Sequence, residues 1–395
     1  MKIIRKIWHG IIFIFTNALF FVSFPIAFLI YGHKRIWLIS EVDFDARDNG
    51  LHLFNYLRKE HPEINAVYLI NKKNPNYALV KELGKTVRPQ SYKHMLMFIA
   101  AKAKISTLVL GCSPSWVLNR YLLKHHSTGK NIALKHGIFK NLHPNYFKQN
   151  AHLDLICCGA KPEYEFIKDN FGYSEGVAQY TGLARFDGLQ DIKPEKEVLI
   201  MPTWRRWLDK VSNEEEFAKS DFFQQWYKLL NNKNFADIAN TNGISVVFYV
   251  HPKLNKYVEL FKKANPNVTF LNSKNGDSVQ AHLKSAAITI TDFSSIFFDI
   301  AYMKKPAIYF QFDEEQYYGS HYKKAYFDYR ENGFGPVCVN NEEVINSLNS
   351  IVNNNLKMEQ VYLKRAEEFF PLHDGNNCSR IYDAIVEVLK KWNPR

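Results

Sequence analysis

Cysteine is scarce in this chain, with five residues in 395, and none forms a C-x-x-C pair. An odd count without paired spacing argues against a disulfide framework and against a structural zinc site. It favours a protein that stays in the reducing cytoplasm. The chain also lacks an internal repeat and a low-complexity tract. Its hydrophobic content of 46% is that of a folded, globular protein.

Acidic residues are also short in number, 39 against 51 lysines and arginines, which gives a net charge of +12. A basic surplus suits an anionic partner such as nucleic acid, an anionic membrane surface or a phosphate-rich substrate. The basic residues are spread along the chain, without a long basic run or a recognisable nucleic-acid motif. We therefore expect no nucleic-acid partner and favour the membrane surface and the phosphate-rich substrate.

Residues 11–31 carry no charge and form a run long enough to span a bilayer. Asn17, Ser23 and Pro25 interrupt it, and basic residues flank both ends, so the positive-inside rule gives no direction. A helix lying in the membrane surface fits as well as a spanning one. The alternative is a first helix packed on the protein's own core. Since no convincing cleavage site follows, we expect residues 1–33 to attach the protein to the cytoplasmic face of the cell membrane.

The rest of the chain alternates short apolar runs with helical patterns, which predicts parallel α/β structure. Strand-like runs lie at residues 35–40, 66–70, 105–110, 131–134 and 153–158, and a second series lies at 197–201, 244–250, 268–271, 287–291 and 307–310. A polar stretch at 187–195 separates the two series. We therefore predict two Rossmann-like domains facing a cleft, 34–190 and 191–395, with a packing helix at 378–392 closing the second.

The most informative stretch is Thr291-Asp292-Phe293-Ser294-Ser295, which follows an apolar strand-like run and precedes a helical pattern at 296–303. A strand that turns into a helix this way presents hydroxyls and unsatisfied backbone N–H groups, which bind anions well. This indicates a phosphate site. The alternative is that Ser294 or Ser295 only caps the helix.

Other polar segments follow strands in the same way, and ligands of open α/β sheets bind beyond the carboxyl ends of strands. These segments are Lys135 to Lys140, Gly182 to Asp187, Pro202 to Arg206 and His251 to Lys253. A lone histidine after a strand is more often structural than catalytic. The coincidence across five strand ends favours a site.

The chemistry indicated is transfer of a phosphate-containing group, which needs positioning, charge stabilisation and a base for the attacking hydroxyl. Gly137 lets the backbone approach a ligand closely. His136 is the candidate base, because imidazole titrates near neutral pH. Asp292 and Asp299 stand isolated in the sequence, so we expect no metal, and expect helix N-termini, Arg185 and His251 to neutralise the phosphate.

With these residues in view, the chain resembles the CDP-glycerol glycerophosphotransferase family, which primes and polymerises teichoic acids and related phosphate-containing capsules. The likeness runs from Lys135 to the C-terminus. It rests on His136-Gly137, Gly182 to Asp187, Pro202-Thr203-Trp204-Arg205, His251-Pro252, Thr291 to Ser295 with Asp299, Lys305-Pro306, Phe327-Asp328-Tyr329 with Gly335-Pro336, and Asp374-Gly375-Asn376. The order and spacing of these segments together are specific.

The resemblance implies a GT-B-like fold with an acceptor domain at 34–190 and a CDP-donor domain at 191–395. It implies that His136 deprotonates the acceptor hydroxyl, that His251 binds donor phosphate and takes part in catalysis, and that CMP leaves without a cofactor. The donor site then comprises His136, Gly137, Ile138, Phe139, Lys140, Arg185, Pro202, Thr203, Tyr249, Val250, His251, Ser294, Ser295 and Asp299.

Several alternatives stay open at the level of sequence. Ile138, Phe139 and Tyr249 depart from the family pattern, so the polyol of the donor stays open between glycerol, ribitol and another polyol. The segment Arg47 to Gly50 lines the acceptor cleft or, as we favour, forms a loop and helix cap. A GT-B glycosyltransferase using a nucleotide sugar, and a basic membrane-surface protein that binds polymer without catalysis, are the other functions. The acceptor (membrane-linked or polymeric), priming against polymerisation, and a homo-oligomeric state are not fixed.

Overall fold

The computed structural model describes residues 2–41, 46–115, 128–190, 192–263, 265–272, 279–320 and 324–391. The chain divides into two compact units, which we describe separately. The first comprises Met1–Ile138, His143–Gly188 and Asp374–Arg395, and the second comprises Phe139–Leu142 and Leu189–His373. The chain crosses between the units after Gly188, inside the polar stretch expected to separate two domains, and also after Ile138, Leu142 and His373, where no boundary was predicted.

In the described part of the first unit, seven parallel strands form one sheet in the order β3-β2-β1-β4-β5-β6-β7. The strands are β1 Trp37–Ser40, β2 Ala66–Leu69, β3 Thr86–Val87, β4 Ala103–Ser106, β5 Lys130–Ala133, β6 Leu155–Cys158 and β7 Ala178–Tyr180. This is the doubly wound arrangement, in which the strand order reverses between β1 and β4. The prediction of a Rossmann-like sheet is confirmed. The short edge strand β3 was not predicted.

Alternate residues of each strand point to opposite faces of the sheet. Because both faces are apolar, helices cover both of them. On β1, Trp37 and Ile39 join one apolar cluster and Leu38 joins the other. The α-helices are Lys2–Tyr31, Asn49–Glu60, Tyr77–Leu83, Tyr92–Ala100, Lys161–Asn170 and Asn377–Lys390, and the 3-10 helices are Gly32–Lys34, Pro144–Tyr146 and Ala184–Gly188.

From Gly10 onward, the N-terminal helix Lys2–Tyr31 is buried along one stripe only. Phe20 and Ala27 pack against the helix Tyr92–Ala100, and the Ser23 hydroxyl lies 3.3 Å from that of Tyr92. The opposite side is apolar and exposed, with Leu29 82% accessible. By length and composition, the stretch Gly10–Lys34 could cross a membrane. The alternative of a helix packed on the protein's own core therefore holds for one face and not for the other.

The second unit repeats the topology within its described residues, as a six-stranded parallel sheet in the order β10-β9-β8-β11-β12-β13. Its strands are β8 Glu195–Met201, β9 Ser245–Val250, β10 Val268–Asn272, β11 Ala286–Thr291, β12 Ala307–Phe310 and β13 Val337–Cys338. Its α-helices are Glu214–Ala218, Asp221–Leu230, Lys233–Thr241, Val258–Lys262, Val279–Ser285, Phe297–Tyr302, Glu314–Ser320, Tyr329–Asn332, Asn341–Asn353 and Gln360–Phe369, and its 3-10 helices are Arg206–Lys210 and Pro252–Tyr257. Here the order reverses between β8 and β11.

The last helix lies in a different unit from the one expected. Asn377–Lys390 belongs to the first unit, where Ile381 and Ile385 join the apolar cluster on the sheet. The Asp187 carboxylate accepts the backbone N–H groups of Asn377 at 2.9 Å and Cys378 at 2.8 Å, which caps the helix. Helical periodicity predicts an apolar face but does not say which sheet the face will cover. The predicted end at 392 lies outside the described residues.

Candidate active site

His136 stands on a tight turn directly after β5. Lys135 before it takes a left-handed conformation, with φ of 59°, and is fully buried. Its ammonium pairs with one carboxylate oxygen of Glu163, whose other oxygen accepts the N–H of Gly159 at 2.7 Å. A left-handed conformation is costly for a lysine, so the buried ion pair is what holds it. As a result, the next side chain points outward, and the ring of His136 is 72% exposed.

The ring of His136 is held by a carboxylate from a distant part of the chain. Its Nδ1 lies 2.6 Å from Oδ2 of Asp48. Because a carboxylate only accepts hydrogen bonds, we assign the ring proton to Nδ1, which makes Nε2 the basic nitrogen. Burial raises the pKa of Asp48, but the positive charges of Arg185 and His136 outweigh burial and bring it below its ordinary value. Asp48 is therefore ionised at neutral pH.

Arg185 joins the same group from the segment after β7. Its Nη1 donates to Oδ1 of Asp48 at 2.9 Å and to the carbonyl oxygen of His136 at 2.6 Å. Asn49 completes the group, since it donates to the carbonyl of Lys135 at 2.8 Å and accepts the N–H of Arg185 at 3.0 Å. Three strand ends, those of β1, β5 and β7, are thereby fixed to one another. A role for Arg185 in donor binding stays a prediction, but its guanidinium already neutralises Asp48.

The segment Arg47 to Gly50 does not act as the simple helix cap that we favoured. Asp48 occupies the N-cap position of Asn49–Glu60, yet its side chain makes no capping bond. Glu41 caps the helix instead, accepting the N–H of Leu51 at 2.7 Å and that of Asp48 at 3.2 Å. A Cβ atom on Gly50 would come within 2.7 Å of Glu41, so glycine is required there. Burial, followed by repulsion from Asp48, raises the pKa of Glu41 to about 8.

In the second unit, Asp292, which stands isolated in the sequence, is the centre of a buried ion cluster. Its carboxylate accepts the N–H of Thr203 at 2.9 Å and Nη1 of Arg205 at 2.8 Å. Arg205 also makes two hydrogen bonds, of 2.7 and 2.9 Å, to Asp313. Burial works to lower the pKa of Arg205, but the two carboxylates outweigh it and raise the value. The cluster ties the end of β8 to the end of β11, where the strand order reverses.

The two serines after Asp292 lie at the surface of this unit. Ser295 is exposed and Ser294 is half-buried. The helix Phe297–Tyr302 starts at Ile296 without a side-chain cap, and Ser294 Oγ lies a long 3.4 Å from the N–H of Ile296. The capping alternative is therefore only weakly met. Asp299 is buried within the helix.

His251 follows β9 as a hydrogen-bonded imidazole. Its Nδ1 accepts the N–H of Lys253 at 3.2 Å, which assigns the ring proton to Nε2. Burial and the charge of Lys253 lower the pKa of His251, against the opposing effect of Asp292. Because the ordinary value is already below 7, His251 is neutral at neutral pH and offers a donor N–H, not a positive charge. Any neutralisation of phosphate must come from other groups.

Three other residues expected at the donor site are buried, and the lysine of the Lys-Pro pair supports a helix. Pro202, Tyr249 and Val250 are buried, and Val250 belongs to the apolar core. Lys305 of the Lys-Pro pair is structural, since its ammonium donates to the carbonyls of Leu283, Lys284 and Ala286. It thereby satisfies the C-terminal end of the helix Val279–Ser285.

Several buried polar atoms of the second unit have no hydrogen-bond partner among the described residues: Lys140 Nζ, Thr203 Oγ1, Gln311 Oε1 and Tyr329 Oη. The Lys140 ammonium lies 5.5 Å from the ring centre of Tyr329 and 6.0 Å from that of Tyr317. Burial lowers the pKa of Lys140 to about 7, partly offset by Asp292. In native proteins, buried polar atoms without partners point to a water, ion or ligand that completes them.

The structure thus gathers the predicted residues in two groups. The first unit brings His136, with Gly137 and Ile138, to Arg185 and adds Asp48, which the sequence did not single out. The second unit holds Phe139, Lys140, Thr203, His251, Ser294, Ser295 and Asp299. In the described part of the chain, no three His, Cys, Asp or Glu side chains converge to hold a metal. Independence from metal stays a prediction.

Comparison with known families gives a match over most of the chain. The profile described as CDP-Glycerol:Poly(glycerophosphate) glycerophosphotransferase matches residues 22–387. The Minor teichoic acid biosynthesis protein GgaB of Bacillus subtilis (strain 168) is 32% identical over 376 residues, which are 91% of this chain but 41% of GgaB. The Teichoic acid glycerol-phosphate transferase of Staphylococcus aureus (strain NCTC 8325 / PS 47) is 30% identical, covering 86% of this chain and 90% of that protein.

A further relative, the Teichoic acid poly(glycerol phosphate) polymerase of Bacillus subtilis (strain 168), is 29% identical over 86% of this chain. This chain spans 47% of that polymerase, so it spans less than half of either Bacillus subtilis relative. Among solved structures, the Wall Teichoic Acid Polymerase TagF has a TM-score of 0.67 at 16% identity and covers 99% of this chain and 98% of its own. A putative UDP-N-acetylglucosamine 2-epimerase from Listeria monocytogenes has a TM-score of 0.58 at 12% identity, with 91% and 98% covered. At these identities the likeness establishes the GT-B-like fold alone.

Proposed function

Because this chain belongs to the CDP-glycerol:poly(glycerophosphate) glycerophosphotransferase family, we propose that it moves glycerol phosphate from CDP-glycerol to an acceptor hydroxyl. The acceptor is membrane-linked or polymeric, the product CMP leaves, and the pathway is synthesis of a teichoic acid or capsule. The observation that carries the proposal is the contact of His136 with Asp48, which orients an exposed imidazole as a base. Such a base is what attack by an alcohol on a phosphorus atom requires.

The proposed reaction uses His136 for proton transfer. Nε2 takes the proton of the acceptor hydroxyl while that oxygen forms a bond to the phosphorus atom carrying glycerol. The bond between this phosphorus and the bridging oxygen of CDP breaks, and the electron pair leaves with CMP. The imidazolium that results is stabilised by the Asp48 carboxylate 2.6 Å away.

The second unit supplies candidate donors for the diphosphate of CDP-glycerol. Lys140 and Thr203 carry buried polar atoms without partners among the described residues, and His251 offers a neutral N–H. Ser294 and Ser295 add hydroxyls after β11. Groups fixed in advance around phosphate oxygens stabilise the charge that develops during transfer.

The proposed location is the cytoplasmic face of the membrane. The exposed apolar side of Lys2–Tyr31 would lie in the lipid while its packed side holds the first unit. Sedimentation with anionic lipid vesicles tests this. Protein that stays in the supernatant at low salt would contradict it.

The donor is tested by incubating the purified protein with an acceptor and either CDP-glycerol or CDP-ribitol, and measuring CMP. We expect acceptor-dependent CMP release from CDP-glycerol. Release from CDP-ribitol alone would assign the related ribitol-phosphate transfer. A nucleoside diphosphate released from a nucleotide sugar would instead assign sugar transfer, and turnover of none of these donors would favour a binding protein.

The base is tested by the substitution His136→Ala. Loss of a general base should lower kcat about 10²- to 10⁴-fold. Since the ring of His136 is exposed, the thermal unfolding midpoint should stay near that of the wild type. The control is His33→Ala, at another exposed histidine, which should keep full turnover. Near wild-type kcat in His136→Ala would remove this residue from the mechanism.

A further inference from the structure

We propose that Asp48 is a positioning residue of the transfer reaction, whose carboxylate fixes both the orientation and the tautomer of the His136 ring. The inference rests on the proposed function, in which His136 is the base. It extends that function to a residue that lies 88 positions earlier in the chain and follows a different strand. Asp48 would not touch the substrate, because it acts through the imidazole.

The geometry fixes the ring from two sides. Oδ2 of Asp48 binds Nδ1 of His136, and Oδ1 binds Nη1 of Arg185, which also donates to the carbonyl oxygen of His136. The backbone and the side chain of the same residue are therefore tied to one carboxylate and its partner. A ring as exposed as this one would otherwise sample several rotamers and both neutral tautomers.

The helix that carries Asp48 is built so that its carboxylate serves this contact. An aspartate at an N-cap position usually accepts N–H groups of the first helical turn. Here Glu41 accepts one of them, from Leu51 at 2.7 Å, and also the N–H of Asp48 itself at 3.2 Å. Gly50 leaves the space that Glu41 needs. Glu41 therefore caps the helix, although Asp48 occupies the N-cap position. The carboxylate of Asp48 is left for His136 and Arg185.

Five titratable side chains of the described residues bear on this ring directly or through a neighbour. Asp48 contacts it, Arg185 contacts Asp48 and the backbone of His136, Glu41 lies beyond Asp48, and Lys135 forms a closed pair with Glu163. Asp48 contacts the ring directly, since its Oδ2 lies 2.6 Å from Nδ1 of His136. Its negative charge stabilises the imidazolium that proton transfer creates, so its removal should make His136 a weaker base.

The main test is Asp48→Asn. Arg185 takes the amide oxygen, so the NH₂ group faces Nδ1 and favours the opposite tautomer, with the proton on Nε2. We expect kcat/KM for CDP-glycerol to fall about 10²-fold or more. The acidic limb of its pH profile should also move to lower pH, because the neighbouring negative charge is gone. A merely structural role would lower kcat/KM without moving the limb.

Two further variants frame this test. Asp48→Glu keeps the charge, so it should return part of the rate and the position of the acidic limb. Asp169→Asn, at an exposed aspartate of the first unit, should leave both unchanged. An acidic limb that stays in place in Asp48→Asn would overturn the inference.

Nitrogen NMR of histidine-labelled protein separates this inference from the proposed function. The His136 signal is identified by its loss in His136→Ala, and in wild-type protein it should report a proton on Nδ1. A wild-type signal with the proton on Nε2 would overturn the positioning role even if His136→Ala is inactive. An Nδ1 proton together with full activity of His136→Ala would overturn the proposed base instead. The wild-type measurement stands even if Asp48→Asn does not fold.

Discussion

The two units share the strand order of their first six strands and differ in how the polar groups of their candidate site residues are satisfied. In the first, Asp48, His136, Arg185 and Asn49 bind one another, and only the imidazole is widely exposed. In the second, Lys140 and three neighbouring polar residues keep buried atoms without partners in the described chain. In the proposed reaction, the first unit holds the base in position before any ligand arrives. A ligand would then complete the polar atoms of the second unit.

Both units also contain a cationic residue held by carboxylates, and the burial of these residues differs. Arg185 binds Asp48 next to an exposed ring, whereas Arg205 is fully buried between Asp292 and Asp313. A buried ion cluster supports the fold, because removing one member leaves the others as uncompensated charges. A partly exposed group affects chemistry more than stability. We therefore expect substitutions in the Arg205 cluster to lower stability and substitutions around His136 to lower activity.

The largest effect on stability should come from Arg205→Met. It leaves Asp292 and Asp313 buried without their cation, and breaking such a cluster costs about 3–5 kcal/mol. The second unit should unfold at a markedly lower temperature, as measured by calorimetry. His136→Ala should shift no transition, which is the contrast that the two units predict.

The matched control is Arg206→Met at the adjacent, exposed arginine. Its free energy of unfolding should stay within about 0.5 kcal/mol of the wild type. Equal unfolding temperatures for the two arginine variants would mean that the cluster around Asp292 does not hold the second unit together.

Much of the fold was predictable from the sequence because buried parallel strands are continuous apolar runs. The ten predicted strand-like runs all correspond to strands, with ends that differ by a few residues. The strand expected before Gly182 corresponds to β7. The two-residue edge strands Thr86–Val87 and Val337–Cys338 were missed, since such short segments carry no pattern. The unit to which Asn377–Lys390 belongs was not predictable, because its apolar face suits either sheet.

The candidate site was predictable only where a residue directly follows a strand. His136, Arg185 and His251 were found by that rule, and the structure places each at the end of its strand. Asp48 was assigned to a cap because its partner lies 88 positions away and the capping by Glu41 has no sequence signal. The pairing of Asp292 with Arg205 was missed for the same reason, at a separation of 87 positions. Contacts between distant strand ends depend on the order of the strands in the sheet. Local hydrophobic patterns in the sequence do not reveal that order.

Lys140→Met tests whether the buried ammonium of Lys140 lowers the free energy of unfolding and at the same time strengthens ligand binding. Removing a buried amine without a partner should stabilise the protein by about 1–3 kcal/mol at pH 6. The same change should raise the KM for CDP-glycerol, because the ligand loses a cation. Lys228→Met, at an exposed lysine, should do neither. A less stable Lys140→Met protein would show that the described residues alone satisfy this amine.

The pH dependence of this gain follows from the lowered pKa of Lys140, about 7 against an ordinary 10.5. Between these values the unfolded chain binds the proton more tightly, so wild-type stability rises with pH. The gain in free energy of unfolding of Lys140→Met over the wild type should therefore be largest below pH 7 and should disappear towards pH 10.5. Urea unfolding at several pH values measures it, and an advantage that grows with pH would contradict the assignment.

The smallest effect should come from Glu41→Gln in the first unit, and its pH dependence should have the opposite sign. Because the pKa of Glu41 is raised from 4.5 to about 8, the folded state binds the proton more tightly, and wild-type stability falls as pH rises between these values. Glutamine keeps one acceptor for the two N–H groups of the helix and does not ionise. At low pH, the free energy of unfolding of Glu41→Gln should be lower than that of the wild type by about 1 kcal/mol. This difference should shrink, and then change sign in favour of the variant, as the pH rises to 8. Glu60→Gln, at the exposed end of the same helix, should show no such trend. A stability of Glu41→Gln that does not rise relative to the wild type between pH 4.5 and pH 8 would contradict the raised pKa of Glu41.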